Sequence, residues 1–107
     1  MIVNNKTLKI DGKEIELDYT IRKYLEYDNH ILILMYDDAV IANNVLCFDK
    51  QGMELWRIND ILNIEKPTGN IDIRKENENI LLVYSVLGIV FKIDIEKKEL
   101  IEKIFLR

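Results

Sequence analysis

The stretch that decides the fold begins Ile31-Leu32-Ile33-Leu34-Met35-Tyr36-Asp37-Asp38 and continues Ala39-Val40-Ile41-Ala42-Asn43-Asn44. It ends Val45-Leu46-Cys47-Phe48-Asp49-Lys50-Gln51-Gly52-Met53-Glu54-Leu55-Trp56-Arg57-Ile58. A short, unbroken apolar run bounded by turn residues predicts a strand covered on both faces. Ile31 to Tyr36 is such a run, with Asp28-Asn29 before it and Asp37-Asp38 after it. A longer connection follows and closes at Asn43-Asn44, residues that tolerate left-handed turn geometry. Val45 to Phe48 and Met53 to Ile58 then read as a hairpin across Asp49-Lys50-Gln51-Gly52. The whole stretch is therefore three consecutive antiparallel strands.

Upstream, Leu8 and Ile10 flank Lys9, while Ile15, Leu17 and Tyr19 alternate with Glu14, Glu16 and Asp18. Period-two alternation on both sides of Asp11-Gly12 predicts a hairpin with one buried and one acidic face. Ile21 to Tyr27 reads as a further strand, with Ile21, Lys23, Leu25 and Tyr27 sharing a face. A helical spacing through Ile21, Tyr24, Leu25 and Asp28 is the alternative, and the Asp28-Asn29 turn favours the strand. Downstream, Asp60 to Ile64 predicts a short helical turn and Pro67-Thr68-Gly69-Asn70 a loop. Ile71 and Ile73 open a strand, Lys75 to Asn79 is a polar turn, and Ile80 to Leu87 is again apolar. Gly88 turns the chain, Ile89 to Ile95 alternates, Glu96-Lys97-Lys98 turns it again, and Leu100 to Leu106 ends it. Ile, Val and Thr supply 27 of 107 residues and Ala only two. Branched side chains suit a pleated surface and lose rotamer freedom in a helix. The predicted fold is all-β: an antiparallel meander of two blade-like sheets, as an incomplete propeller or a sandwich, with little helix. One domain spans 1–107, with an N-terminal hairpin over 1–20 and two units over 21–60 and 71–107.

Those two units repeat one another. Val45 to Trp56 aligns with Val90 to Ile101 without a gap, at an offset of 45. Asp49 falls on Asp94, Glu54 on Glu99, Leu55 on Leu100 and Trp56 on Ile101. Ile31 to Leu34 aligns with Ile80 to Val83 at an offset of 49, so the first unit has a connection four residues longer. A period of roughly 40–50 residues with four strands per unit is the pattern of propeller blades. Asp49-x-x-Gly52-x-x-x-Trp56 resembles the blade motif of quinoprotein-like β-propellers. That resemblance implies an aspartate that turns the hairpin, a glycine that relieves it and a tryptophan that docks on the next layer. The first turn is one residue short of the usual motif, the second copy lacks the glycine and the tryptophan, and the ring-closing blades are absent. No quinone cofactor is therefore implied. Trp56 is expected as a core anchor between the two sheets.

The remaining residues narrow the function. The lone Cys47 cannot form an internal disulfide and lies in an apolar strand, where a packed thiol is expected. No phosphate loop, glycine-rich dinucleotide motif, His/Cys metal spacing or nucleophile elbow occurs. Ser85, the one serine, falls within an apolar strand, and His30, the one histidine, within a turn. Asp37 and Asp38 are neighbours on a strand end and point to opposite faces. A net charge of −4, with lysines interleaved among acids, argues against a nucleic-acid face. No apolar run reaches the ~18 residues that span a membrane. The N-terminal residues do not read as a signal peptide, and a cytoplasmic location is expected. These features favour binding over catalysis, with no cofactor and no metal. The expected function is a small immunity or antitoxin-type inhibitor of a secreted bacterial toxin, such as a basic nuclease, acting as a monomer or weak homodimer. An acidic surface suits that partner and speeds its approach. The alternative is a structural module that self-associates or accompanies a larger β-propeller. The partner-binding residues are expected in the long connection, at Tyr36, Asp37, Asp38, Asn43 and Asn44, with Asp28 at the turn before the strand. Replacing Asp37 and Asp38 by lysine is expected to spare the fold and abolish capture.

Overall fold

The computed structural model describes residues 1–106. Arg107, the last residue of the expected second unit, lies outside the described residues. The chain is all-β with little helix. It runs through β1 (Ile2–Asn4), β2 (Thr7–Ile10), β3 (Lys13–Glu16), β4 (Ile21–Glu26), β5 (His30–Met35), β6 (Val45–Asp49) and β7 (Glu54–Arg57). One short helix, α1 (Ile58–Leu62), precedes β8 (Asn70–Lys75), β9 (Ile80–Ser85), β10 (Ile89–Asp94) and β11 (Glu99–Phe105). Three antiparallel sheets result: β1-β2-β3, β4-β5-β6-β7 and β8-β9-β10-β11, each a meander of chain-order neighbours.

The central sheet lies between the other two. Ile31, Ile33 and Met35 of β5 pack with Leu8, Ile10 and Leu17 from the N-terminal sheet and its exit. Leu32 and Leu34 face the other way, onto Ile73, Leu81, Val83, Phe91 and Ile93 of the last sheet. This is why Ile31 to Met35 tolerates no polar residue: both faces of the strand are covered. The face assignment of Ile21 needs a correction. The β4–β5 register shifts between Ile21 and Lys23, which turns Ile21 into the N-terminal core with Tyr24. Leu25 packs into the other core.

The N-terminal hairpin turns at Asp11 and Gly12, both with positive φ (52° and 75°), and Ile10 pairs Lys13. Such a two-residue turn matches the strand twist and favours Asp-Gly. The hairpin gains a third strand that the sequence pattern concealed, because β1 is short and exposed throughout. The helical turn starts two residues earlier than expected. The Arg57 N–H donates to Asp60 Oδ2 (2.9 Å) and the Asn59 N–H to Asn43 Oδ1 (2.8 Å), satisfying donors of the first turn. Asn63, at φ 51°, ends the helix.

Aligned aspartates act alike in the two repeated turns. Asp49 Oδ1 accepts from the Gln51 and Met53 N–H groups (2.9 Å each), and Asp94 Oδ1 from the Lys97 N–H (2.9 Å). Their partners diverge. Trp56 is buried in the core between the central and last sheets, and its indole N–H has no hydrogen-bond partner. Ile101, its counterpart, sits where the β10–β11 register shifts and is half exposed.

Candidate protein-binding surface

The six expected site residues occupy two ends of the molecule. The connection from Tyr36 to Asn44 follows β5, whereas Asp28 precedes it. A six-residue strand separates them by about 20 Å, so Asp28 does not share a surface with the others. Within the connection most polar groups are committed inward. Asp37 Oδ1 accepts from the Thr20 backbone N–H (3.1 Å) and hydroxyl (2.8 Å). These two bonds, the hydroxyl's first, hold its carboxyl below the usual carboxylate range. Arg22 donates to the carbonyls of Tyr36 (2.9 Å) and Asp37 (2.6 Å), and its guanidinium lies 4.7 Å from the Tyr36 ring centroid. Asp37 is thus a strut between the connection and β4, and exchanging it for lysine removes the strut.

Asn43 and Asn44 are structural as well. Asn43 takes a left-handed backbone (φ 52°) and receives the Asn59 N–H, steadying the start of α1. Asn44 is fully buried. Its Oδ1 accepts from the Asn70 N–H (2.9 Å) and Nδ2 (3.1 Å), and its own Nδ2 donates to the Asn70 carbonyl (2.9 Å). A buried, fully paired amide offers nothing to a partner, so Asn44 belongs to the seam between sheets rather than to a binding surface. Asp38 is exposed, and Asp28 is exposed at the far end.

The connection nevertheless borders a second feature. Ala42 bridges Gly69, the Asn43 N–H donates to the Thr68 carbonyl, and the Val86 N–H donates to the Gly69 carbonyl (3.1 Å). A Cβ on Gly69 would run into Val40 Cγ1 and come within 2.8 Å of the Ile41 carbonyl, so only glycine lets the chains meet there. The chain of contacts leads to the β9–β10 turn, Ser85-Val86-Leu87-Gly88. The Gly88 N–H donates to the Ser85 carbonyl (3.2 Å), the Leu87 N–H to Ser85 Oγ (3.1 Å), and Gly88 takes φ 75°. Val86 and Leu87 are thereby held at the tip with 47% and 64% of their surface exposed. The Leu106 N–H donates to the Gly88 carbonyl (2.8 Å), and Ile104 pairs Val90. Leu106 and Phe105 are exposed beside this turn, whereas Ile104, which pairs Val90, is exposed on the other face of β11.

Among the described residues the other short hairpin turns are centred on polar or small residues, at Asn5-Lys6, Asp11-Gly12, Asp28-Asn29, Gln51-Gly52, Asn77-Glu78 and Glu96-Lys97, although the β6–β7 loop also exposes Met53. Val86-Leu87 departs from ordinary turn chemistry. Sequence reading absorbed both residues into the apolar run of β9. The available signal was Gly88, whose left-handed conformation in a short hairpin loop places the two preceding residues at the turn's centre.

A family model described as Domain of unknown function (DUF7957) matches residues 1–105. The chain belongs to this family. No curated protein and no solved structure matches it. One polar cluster borders this end: Asp72, which pairs Tyr84, accepts from Lys23 Nζ and Arg74 Nε (3.0 Å each). Tyr24, Glu26 and Lys50 join in a surface network, with the Tyr24 hydroxyl 3.0 Å from Glu26 Oε1 and Lys50 Nζ 2.7 Å from Glu26 Oε2. Burial and Glu26 push the Tyr24 phenol up to about 12. Cys47 is buried, which pushes its thiol up to about 12 and suppresses the thiolate a nucleophile needs. His30 opens β5 and pairs Asp49. Glu14 and Glu16 line the exposed side of edge strand β3.

Proposed function

We propose that this chain is a protein-binding module whose working surface is the end formed by the Tyr36–Asn44 connection and the Val86–Leu87 tip. More narrowly, we propose an immunity-type inhibitor that covers the active site of a basic secreted toxin domain, such as a nuclease, in the cytoplasm. One observation carries the reading: a tight, hydrogen-bonded hairpin tip puts two large apolar side chains side by side at its centre, where the other short hairpin turns among the described residues are centred on polar or small residues. Interfaces are anchored by a few apolar or aromatic side chains, with charge kept to the rim. Val86, Leu87 and Phe105 have the anchor character and exposed Asp38 the rim character. The net charge of −4 favours approach of a basic partner. The blade-like repeat fits a scaffold role, in which the two sheets hold the tip in place.

The test is capture from the native cells followed by mass spectrometry, with wild type and Leu87→Asp run side by side. Wild type is expected to retain one basic protein in stoichiometric amount, and Leu87→Asp to lose it. Equal recovery by both, or recovery of nothing beyond copies of the chain itself, overturns the reading.

A further inference from the structure

We infer that the Tyr36–Asn44 connection, the loop over residues 63–69 and the Val86–Leu87 tip open and close as one cooperative unit, separately from the sheets. A network of side-chain amides and hydroxyls locks it. Among the described residues four polar ones are buried, and three of them, Asn44, Asn70 and Ser85, meet here. The links run from α1 to the tip. The Asn59 N–H donates to Asn43 Oδ1 (2.8 Å), and the Asn43 N–H to the Thr68 carbonyl (3.4 Å). The Asn59 side chain also closes its own loop: Nδ2 donates to the Ile64 carbonyl (3.1 Å), and Oδ1 accepts from the Ile64 N–H (3.0 Å). The Thr68 and Ser85 hydroxyls lie 3.3 Å apart, and Ser85 Oγ accepts from the Leu87 N–H (3.1 Å). Beside this line run the three bonds between Asn44 and Asn70, and the Val86 N–H donating to the Gly69 carbonyl (3.1 Å).

Two features make these segments one unit. None of residues 37–44, 65–70 or 85–88 belongs to either apolar core. Segments held by hydrogen bonds with little apolar packing open at a lower free energy than the sheets beside them. The network also keeps each segment from leaving alone. Freeing the tip deprives the Thr68 hydroxyl and the Gly69 carbonyl of partners. Freeing the connection deprives the Asn59 N–H and all three bonded groups of Asn70. A polar group left unpaired inside the fold costs more than a typical bond contributes, whereas joint opening hands every one of these groups to water. Leu87 therefore keeps its place at the turn's centre only while the connection is closed. The turn at the other end of β8 and β9 is separate from this network, with Asn77 Oδ1 accepting from the Asn79 and Ile80 N–H groups (3.0 and 3.1 Å).

Residue-resolved amide exchange on the purified full chain, under conditions where reclosing outruns exchange, tests this with one variant at each end of the network. Ser85→Ala removes the hydroxyl at the tip. Asn43→Gly removes the side-chain acceptor near α1 and keeps the backbone, since glycine adopts the φ of 52° freely. Each is read at the far end, where it takes away no bond directly. Ser85→Ala is expected to speed exchange at Asn43 and Asn59, and Asn43→Gly at Val86 and Leu87, by about three- to tenfold, the effect of one net hydrogen bond. Asn79 and Ile80, in the opposite turn, are expected to exchange as in wild type. Faster exchange at the altered end alone, or at neither end, overturns the inference. So does equal acceleration at Asn79 and Ile80, which would mean that the sheets open with the loops. The free chain is measured, so the outcome stands apart from the partner proposed above.

Discussion

The central and last sheets are the same meander twice, yet they meet solvent differently. Both have four antiparallel strands in chain order, and in both an aligned aspartate bonds the turn between the third and fourth strands. The central sheet is covered on two faces, and its long connection is tied down by Thr20, Arg22 and Asn70. The last sheet is covered on one face. Its equivalent connection is a short turn that presents Val86 and Leu87 to water. The extra length in the first copy therefore closes the fold, and the brevity of the second leaves an exposed apolar tip. An insertion in a repeat is often the functional loop, but here the polar groups of the longer loop are mostly used internally.

The widest separation between the copies should appear at Trp56 and Ile101. Trp56→Ala empties an aromatic site between two sheets and is expected to cost about 3–5 kcal/mol. Ile101→Ala, at an exposed bulge, should stay within about 0.5 kcal/mol. Chemical denaturation of both variants checks the contrast, and similar losses would show that the repeats share an anchor after all. Trp56→Phe keeps most of the bulk and removes an indole N–H that has no partner. It is expected to be far milder than the alanine change.

Next comes the seam. Asn44→Ala strands the buried Asn70 N–H and is expected to cost about 1–3 kcal/mol. A loss confined to a few tenths of a kcal/mol, in the same denaturation experiment, would detach the connection from the core. A smaller and pH-dependent effect is expected from Asp37. Its folded carboxyl titrates below the ordinary range because the Thr20 hydroxyl and N–H favour the charged form. The stability it adds is complete above the unfolded value and is lost as pH falls through the folded one. The difference in melting temperature between wild type and Asp37→Ala should therefore shrink from about pH 6 to about pH 3. A difference that grows on acidification would contradict the strut. The tip should be the least sensitive of all. Val86→Asn with Leu87→Asp puts ordinary turn residues at the turn centre and should change stability by no more than about 0.5 kcal/mol. A large loss would assign Val86 and Leu87 to the core rather than to a partner.

Much of the fold was readable from local pattern. Ile31 to Met35 announced two covered faces by lacking any polar residue. Asp11-Gly12 fixed the first hairpin, and β-branched composition excluded a helical chain. The features that escaped depend on contacts remote in sequence or on a masked period. β1 is three residues long and exposed, so it has no apolar alternation to detect. Asn44 looked like a solvated turn residue because its partner, Asn70, lies 26 positions on. Arg22 lies where the register shifts, so strict alternation put Ile21 on the wrong face. Val86 and Leu87 were hidden because a turn with apolar residues has no compositional boundary with the strand before it. The acidic residues of the connection were legible, but which of them faced inward was not, since Asp37 and Asp38 differ only in what Thr20 and Arg22 do nearby.

The most direct test of the proposed binding surface is amide hydrogen exchange on the full chain, alone and with the protein recovered in the capture experiment. Slowed exchange concentrated at residues 86–88 and 104–106, with the β3 edge at residues 13–16 unchanged, is the predicted result. Slowed exchange at the β3 edge with residues 86–88 unaffected would contradict it and move the site to the opposite face of the three-sheet stack.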